Sequence, residues 1–268
     1  TPASAILSGL VGSEMCIRDS DKNIINQIVK SSSCDERFIV EVGPGPGLLT
    51  NAILEKKIKK VLAIETDKTF LPILEELKEK HPKKFEFIIN DALKVDLDKL
   101  ISEKYSVISN LPYNISVPFI ISLLIKEQPV KWEKLTLTVQ KEVADRMMAK
   151  INTKQYGRLS VLTQWRCKIK KICEIKPSCF IPPPKVISTV ISIEPKKNIL
   201  TPSVENFQKI VSYAFGFRRK TLKKSLSKLE IGINKLADFC EIDLSLRAQN
   251  LSVDDYINLT IGYEKFFK

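Results

Sequence analysis

The sequence predicts an α/β fold with a largely parallel β-sheet, because apolar segments of strand length alternate with segments of helical spacing. The apolar segments are short and uninterrupted, which is typical of strands buried on both faces. Ligands bind such sheets at the carboxyl ends of the strands, where this sequence places its polar and glycine-rich features. The predicted strands cover residues 38–42, 61–64, 85–89, 105–109, 135–139 and 186–193, the last of which pairs back into the sheet. The predicted helices cover residues 48–55, 69–80 and 119–125.

The composition narrows the classes of partner and of chemistry. The chain has 268 residues, enough for one large domain and a small second one, and its net charge of +12 indicates a polyanionic partner. Nucleic acid is the first candidate and an anionic membrane surface the second. No apolar stretch approaches about 18 residues, so we expect no membrane-spanning helix.

The cysteines and the histidine argue against a metal centre. The 6 cysteines include no C-x-x-C pair, and His81 is the only histidine, so we expect no metal. Reduced thiols in a cytoplasmic protein explain the cysteines more simply than disulfides do. The scarcity of histidine also disfavours chemistry that needs a histidine base.

A glycine-rich loop after the first predicted strand indicates a nucleoside ligand. Gly43, Gly45 and Gly47 have the spacing G-x-G-x-G, not the G-x-G-x-x-G of dinucleotide folds. Glycine lets the backbone approach a ligand closely. Glu65 ends the second predicted strand, 20 residues after Gly45, where an acid typically accepts hydrogen bonds from ribose hydroxyls.

Two further acids favour S-adenosylmethionine as that ligand. Glu41 directly precedes the loop, where it would repel a pyrophosphate and suit a cation. Asp91 ends the third predicted strand and can accept from an adenine amino group. S-adenosylmethionine carries a ribose, a sulfonium and an ammonium, and no phosphate.

The segment Asn110-Leu111-Pro112-Tyr113 follows the fourth predicted strand and suits the binding of a flat ring with an amino group. Asn110 offers a side-chain carbonyl, and a main-chain carbonyl of Leu111 or Pro112 offers a second acceptor for the amine. Tyr113 offers a face for stacking, worth about 1–3 kcal/mol of base affinity. An ordinary turn is the alternative, since Asn and Pro are both turn residues.

The same groups would make an aromatic amine reactive. Its lone pair is delocalised into the ring, so two acceptors on its hydrogens favour the pyramidal form that attacks a methyl sulfonium. Proximity and alignment then supply most of the acceleration, and neither metal nor histidine is required. An unpaired adenosine is the easier target, because a paired base must first be flipped out.

The chain resembles the rRNA adenine dimethyltransferase family across residues 21–268, with its motifs in the family order. The matching segments are Glu41–Gly47, Ile64–Glu65, Asn90–Ala92, Asn110–Ser116, Lys141–Arg146, Gly157–Val161, Phe180–Val186, Phe217–Leu222 and Arg247–Ser252. The resemblance implies a Rossmann-like S-adenosylmethionine-dependent methyltransferase domain with a small helical C-terminal domain. It also implies dimethylation of two adjacent adenosines near the 3′ end of small-subunit rRNA, within an immature ribosomal subunit.

The resemblance carries site residues onto this sequence. Asn110, Leu111, Pro112 and Tyr113 would be catalytic, and Tyr113 and Phe180 would sandwich the target adenine. The prolines after Phe180 would present it rigidly, although a stiff linker or a ligand of an SH3-type domain is the alternative. The cofactor contacts would come from Glu41, Gly43, Gly45, Glu65, Asp91, Ala92 and Asn110.

A basic run in the second predicted domain points to RNA phosphates. Residues 218–224 hold five cations and no acid, which favours phosphate contacts over a merely solvated helix face. The predicted RNA-binding residues are Arg146, Lys185, Arg218, Arg219, Lys220 and Lys223.

The predicted domains are a methyltransferase domain at residues 21–197 and a helical RNA-binding domain at residues 198–268, in a monomer. We interpret residues 1–20 as a non-native or disordered segment, because family members carry Gly-Gln-Asn-Phe-Leu before the position of Asp21 and this chain does not. Two other functions stay open: a macrolide-resistance-type methyltransferase acting on large-subunit rRNA, and a non-catalytic RNA-binding or transcription factor. The basic run, Leu111 and Asn114 favour the small-subunit enzyme.

Overall fold

The structure is a computed structural model and describes residues 16–18, 21–126, 129–197, 202–229 and 232–266. Most of the segment 1–20, interpreted above as non-native or disordered, lies outside these ranges. The strands are β1 (Cys16–Ile17), β2 (Phe38–Val42), β3 (Lys60–Glu65), β4 (Phe85–Ile89), β5 (Tyr105–Asn110), β6 (Trp132–Gln140), β7 (Cys167–Ile175), β8 (Phe180–Ile181) and β9 (Ser188–Pro195).

Helices connect these strands and continue beyond the last of them. They are α1 (Lys22–Ser32), α2 (Leu48–Leu54), α3 (Leu71–Lys80), α4 (Leu97–Leu100), α5 (Tyr113–Leu124), α6 (Lys141–Met147), α7 (Arg158–Arg166), α8 (Val204–Gly216), α9 (Leu222–Leu226), α10 (Ile233–Cys240) and α11 (Val253–Phe266). Short 3-10 turns lie at Lys68–Phe70, Pro177–Cys179, Ser227–Leu229 and Ala248–Asn250.

The main sheet has the strand order β4-β3-β2-β5-β6-β9-β7. The pairs β3–β4, β2–β3, β2–β5 and β5–β6 are parallel, and β9 runs antiparallel to β6. The strand order therefore reverses between β2 and β5, which is the switch point where ligands bind in Rossmann-like sheets. The predicted α/β fold is confirmed, and the switch point brings the loops after β2 and β5 to the same edge.

The burial of the strands explains why the apolar segments predicted them well. In β2, Ile39, Val40 and Val42 are buried, and in β5 every residue from Tyr105 to Ser109 is buried. Such strands need apolar side chains on both faces, so their sequences lack the polar alternation of an exposed sheet. The helix after β5 was predicted too short, since α5 begins at Tyr113 rather than at residue 119.

The chain divides into two compact units, each made of segments that are not contiguous in sequence. The second unit comprises residues 123–128, 145–169 and 195–268, and the remainder forms the first. Within the second unit, Trp165 of α7 stacks on Phe207 of α8 with ring centroids 3.9 Å apart. The buried Arg166 donates to the carbonyl of Leu124 at 2.9 Å. The first contact ties α7 to the C-terminal helix α8, and the second joins α7 to the end of α5. The predicted domain boundary at residues 197–198 stays a prediction.

Candidate functional site

The predicted site residues of the first unit gather at the carboxyl edge of the sheet. A cavity of about 250 Å³ opens there, between the loops that follow β2, β3, β4 and β5. Its lining residues are Val42, Gly43, Ile64, Glu65, Thr66, Asn90, Asp91, Ala92, Pro112, Asn114 and Ile115. A neighbouring hollow is lined in part by Glu41, Asn110 and Leu111, and Gly43 and Pro112 border both spaces. The fold thus brings together residues from four segments that are distant in sequence.

Gly43 holds the glycine loop close to the loop after β5. Its φ of +66° lies in the left-handed region, which side chains with a Cβ rarely adopt. A Cβ on Gly43 would lie 3.4 Å from the Cδ of Pro112. Its N–H donates to the carbonyl of Ile64 at 2.9 Å, which fixes the loop against β3. Glycine is therefore favoured here by its backbone conformation, and a Cβ would be in van der Waals contact with Pro112.

Glu65 is buried at the end of β3, with a relative exposure of 1%. Its Oε1 accepts from the N–H groups of Thr66 at 2.7 Å and Asp67 at 2.9 Å. Its Oε2 accepts from the N–H of Gly45 at 3.2 Å, which links the carboxylate to the glycine loop. A carboxylate offers about four lone-pair positions, so one position remains for a ligand hydroxyl.

Glu41 is a buried acid that lines the neighbouring hollow. Burial raises the pKa of its carboxyl to about 8, and the nearby charge of Glu65 adds to the shift. The hydroxyl of Thr50 donates to its Oε2 at 2.7 Å and opposes the shift. A cation placed against Glu41 would offset the cost of its buried charge.

Asp91 and Ala92 line the cavity on the side of β4. Ala92 is buried, whereas Asp91 is half-buried and its Oδ1 accepts from the N–H of Leu93 at 3.0 Å. The backbone N–H of Asn90 donates to the carbonyl of Glu65 at 2.8 Å. This bond sets the loop after β4 against the loop after β3.

The segment after β5 places its amide and its aromatic ring at the same edge. Asn110 is the last residue of β5 and lies beside Thr138 of β6 in the ladder. Tyr113, the first residue of α5, is half-buried, and its hydroxyl lies 2.5 Å from the Oγ of Ser188. Burial raises the pKa of the Tyr113 phenol, and the hydrogen bond to Ser188 opposes that shift.

Phe180, the second predicted stacking residue, is covered in this structure. Its relative exposure is 2%, and it belongs to the same apolar cluster as Ile17 and Ile25. In β8, Phe180 pairs with Ile17 of β1, so the segment 16–17 lies against the residue that would face the adenine. Its role in stacking stays a prediction.

The predicted RNA-binding residues are exposed, but one of them also has a structural role. Arg218 donates through Nη2 to the carbonyl of Tyr156 at 3.0 Å and to that of Lys154. Its Nε donates to the Oε1 of Gln249 at 3.4 Å. The other predicted cations, all with exposed side chains, are Arg146, Lys185, Arg219, Lys220 and Lys223.

Sequence reasoning missed two residues that hold the site. Ser188 lies 75 positions from Tyr113, and no local pattern links them. Thr50 lies 9 positions from Glu41, on the helix that follows the glycine loop. The signal available in the sequence for Thr50 was a hydroxyl in the first turn of that helix.

Two features, a cluster of metal ligands and a membrane-spanning helix, are absent from the part of the chain that the structure describes. Among those residues, no three His, Cys, Asp or Glu side chains are placed to hold a metal ion. Across the same ranges, none of the helices is long and apolar enough to cross a membrane.

Comparison with known proteins places this geometry among RNA methyltransferases. The model of the ribosomal RNA adenine dimethylase family matches residues 19–265. A ribosomal RNA small subunit methyltransferase A of Rhizobium etli (strain CIAT 652) is 42% identical over 239 residues, which is 88% of this chain and 86% of that protein. The protein of the same name from Pelagibacter ubique (strain HTCC1062) is 39% identical over 246 residues, 91% of this chain and 93% of that protein.

Solved structures agree with this relationship. A dimethyladenosine transferase from Plasmodium falciparum matches with a TM-score of 0.76 at 25% identity, over 91% of this chain and 96% of that one. The 23S rRNA methyltransferase ErmE matches with a TM-score of 0.68 at 21% identity, over 92% of this chain and 99% of that one. The second likeness is one of fold alone.

Proposed function

Because the chain belongs to the ribosomal RNA adenine dimethylase family, we propose that it dimethylates the exocyclic amines of two adjacent adenosines near the 3′ end of small-subunit rRNA. S-adenosylmethionine is the methyl donor. The observation that carries the proposal is the position of Asn110 and Tyr113 at the end of β5, directly across the switch point from the glycine loop. An amine held there lies next to the cofactor cavity.

The cavity residues fit the cofactor. Glu65 would accept from the ribose through its remaining lone-pair position, and Asp91 and Ala92 would contact the adenine. Glu41, in the neighbouring hollow, would face the cationic end of the cofactor. Gly43 and Pro112 border both spaces, and a Cβ on Gly43 would be in van der Waals contact with Pro112.

When bound, S-adenosylmethionine supplies a methyl group that its sulfonium has already activated. Asn110 accepts from one hydrogen of the target amine through its side-chain carbonyl. A main-chain carbonyl of Leu111 or Pro112 accepts from the other; that of Pro112 already accepts from the N–H of Ile115 at 3.2 Å, which favours Leu111. Tyr113 stacks on the base, and the proton of the cationic product leaves to solvent.

The second unit would hold the RNA through its exposed cations. Contacts to phosphates carry no sequence information, so they position the substrate while the first unit selects the base. We propose an immature small ribosomal subunit as the substrate, a monomer as the working form and the cytoplasm as its location. The 42% identity to a small-subunit methyltransferase supports this substrate over large-subunit rRNA.

A methyl-transfer assay on immature small subunits tests the proposal. The wild-type protein should add four methyl groups to each subunit, two on each adenosine. Asn110→Ala should lower kcat about 100-fold or more, because the amine loses its acceptor and its alignment. Asn26→Ala, an exposed position in α1, is the matched control and should leave the rate unchanged.

Two results would contradict these assignments. If the wild-type protein methylates large-subunit rRNA and leaves immature small subunits unmodified, the proposed substrate is wrong. If Asn110→Ala keeps the wild-type rate, Asn110 is not the amine acceptor.

A further inference from the structure

One exposed aromatic side chain lies within the most basic segment of the second unit. Between Glu205 and Glu230 the chain has no acid and seven cations, namely Lys209, Arg218, Arg219, Lys220, Lys223, Lys224 and Lys228. Phe217 lies in the middle of this basic segment, and 47% of its surface is exposed. Single exposed apolar residues are common, but an exposed aromatic ring within a basic segment suits a nucleic acid, which has both bases and phosphates.

The backbone around Phe217 is held in an ordered turn. The carbonyl of Phe217 accepts from the N–H of Lys220 at 2.8 Å, and the N–H of Leu222 donates to the carbonyl of Leu246 at 2.7 Å. Arg218, the next residue, is fixed by the carbonyls of Lys154 and Tyr156. The turn therefore presents the ring from a fixed position, which lowers the entropy cost of stacking a base on it.

The ring already has one cation above it. The Nζ of Lys228 lies 4.9 Å from the centroid of the Phe217 ring, a distance typical of a cation–π contact. An ammonium over one face can also contact a phosphate of a nucleotide whose base stacks on the ring. The flanking residues Arg219, Lys220 and Lys224 are exposed as well.

We propose that Phe217 is a stacking platform for an unpaired base of the RNA, away from the methylated adenosines, with Lys228 and the flanking cations on the adjacent phosphates. This inference rests on the proposed function, because it takes RNA as the substrate. Charge complementarity selects the partner: an apolar protein surface would not match an exposed ring in a segment that carries seven cations and no acid. The platform would give the second unit a preference for unpaired over paired RNA.

Binding of two RNA probes at several salt concentrations tests the platform. One probe is a hairpin with an unpaired loop, and the other is a fully paired duplex of the same length. Phe217→Leu should weaken binding to the hairpin about 5-fold to 100-fold at an unchanged salt dependence, and leave binding to the duplex unchanged. Phe217→Trp should keep the affinity for the hairpin, because it restores a ring.

Lys224→Ala is the matched control for charge. It should weaken binding to both probes and reduce the slope of log affinity against log salt by about 0.7–0.9. The thermal midpoint of each variant is measured first, and Phe217→Leu should unfold at the wild-type temperature because its side chain is half exposed.

The outcomes separate this inference from the proposed function. If the wild-type protein methylates small subunits while Phe217→Leu binds the hairpin as tightly as wild type, the platform alone is wrong. If Phe217→Leu lowers the affinities for the hairpin and the duplex equally, the ring does not bind unpaired bases selectively. The same conclusion follows if it lowers the affinity for a polyglutamate peptide as much as that for RNA. If the wild-type protein neither binds nor methylates RNA, the proposed function fails and the platform with it.

Discussion

The sheet edge of the first unit and the basic turn of the second unit hold their functional groups in opposite ways. At the sheet edge, Glu41 and Glu65 are buried, and hydrogen bonds fix both carboxyl groups. In the basic turn, residues 216–221 are all exposed, and Arg218 is held by two carbonyls. The first region is built for fixed geometry and the second for accessible charge.

The difference follows from the two tasks. Methyl transfer depends on alignment, so a misplacement of about 1 Å can cost about 100-fold in rate. Phosphate contacts depend on the number of charges and tolerate mobile side chains. A change at the sheet edge should therefore act through a defined geometry or charge, whereas the loss of an exposed cation in the basic turn should act through the salt dependence of binding.

The largest expected effect concerns the pH dependence of cofactor binding through Glu41. In the free protein its carboxyl, with a pKa of about 8, is mostly protonated at neutral pH. A cationic ligand favours the carboxylate and lowers this pKa, so binding releases a proton below pH 8. Between pH 6 and 8 the affinity of wild type relative to Glu41→Gln should rise up to about 10-fold per pH unit.

Calorimetry with S-adenosylmethionine in two buffers of different ionisation enthalpy measures both affinity and proton release. The variant serves as the reference because the amine of the cofactor titrates in the same way with both proteins. Without cofactor, the pH dependence is that of folding stability, and it has the opposite sign to that of cofactor affinity. The folded pKa lies above the ordinary value of 4.5, so the stability contributed at Glu41 is lost as the pH rises from 4.5 through about 8. A constant affinity ratio between pH 6 and 8 would contradict a cation at Glu41.

The share of the structure that could be predicted from the sequence differs between these two regions. The strands β2 to β6 were predicted because buried parallel strands require continuous apolar segments, and their ends then located Glu65, Asp91 and Asn110. The strand β7 was missed because lysines such as Lys168 and Lys170 interrupt its apolar pattern. It lies at the edge of the sheet, where charged residues protect against unwanted pairing.

Other features depended on contacts that no local pattern contains. The start of α5 was missed because Asn114 and Pro118 have low helix propensity, and burial of residues such as Ser116 and Phe119 overrides it. The exposed cations, by contrast, were read directly from their spacing. Only the structure revealed that the guanidinium of Arg218 donates hydrogen bonds to backbone carbonyls more than 60 positions away in the sequence.

Removal of the hydrogen bond between Tyr113 and Ser188 should have an effect of intermediate size on kcat. Ser188 is fully buried, and its position in β9 is set by pairing with Gln140 of β6. It therefore fixes the hydroxyl of Tyr113 and with it the plane of the ring. Ser188→Ala and Tyr113→Phe should each lower kcat about 10-fold in the methyl-transfer assay, because the base is then less well aligned.

The double variant distinguishes positioning from general damage. If both changes act through the same bond, Ser188→Ala should have no further effect on kcat in the Tyr113→Phe protein. Ser192→Ala is the matched control, since Ser192 lies on the same strand and is also buried. Additive losses in the double variant, or an equal loss in Ser192→Ala, would show that Ser188 does not act through Tyr113.

The smallest effect separates two neighbouring cations of the basic turn. Lys220→Ala should lower RNA affinity about 5-fold at 0.1 M salt and reduce the salt slope by about 0.7–0.9, with an unchanged thermal midpoint. Arg218→Ala also removes the hydrogen bonds to Lys154 and Tyr156, so it should lower the free energy of unfolding by about 1 kcal/mol. Filter binding across a salt series and thermal denaturation measure the two quantities. If Lys220→Ala lowers the free energy of unfolding as much as Arg218→Ala does, the basic turn depends on fixed geometry as the sheet edge does, and the contrast between the regions is wrong.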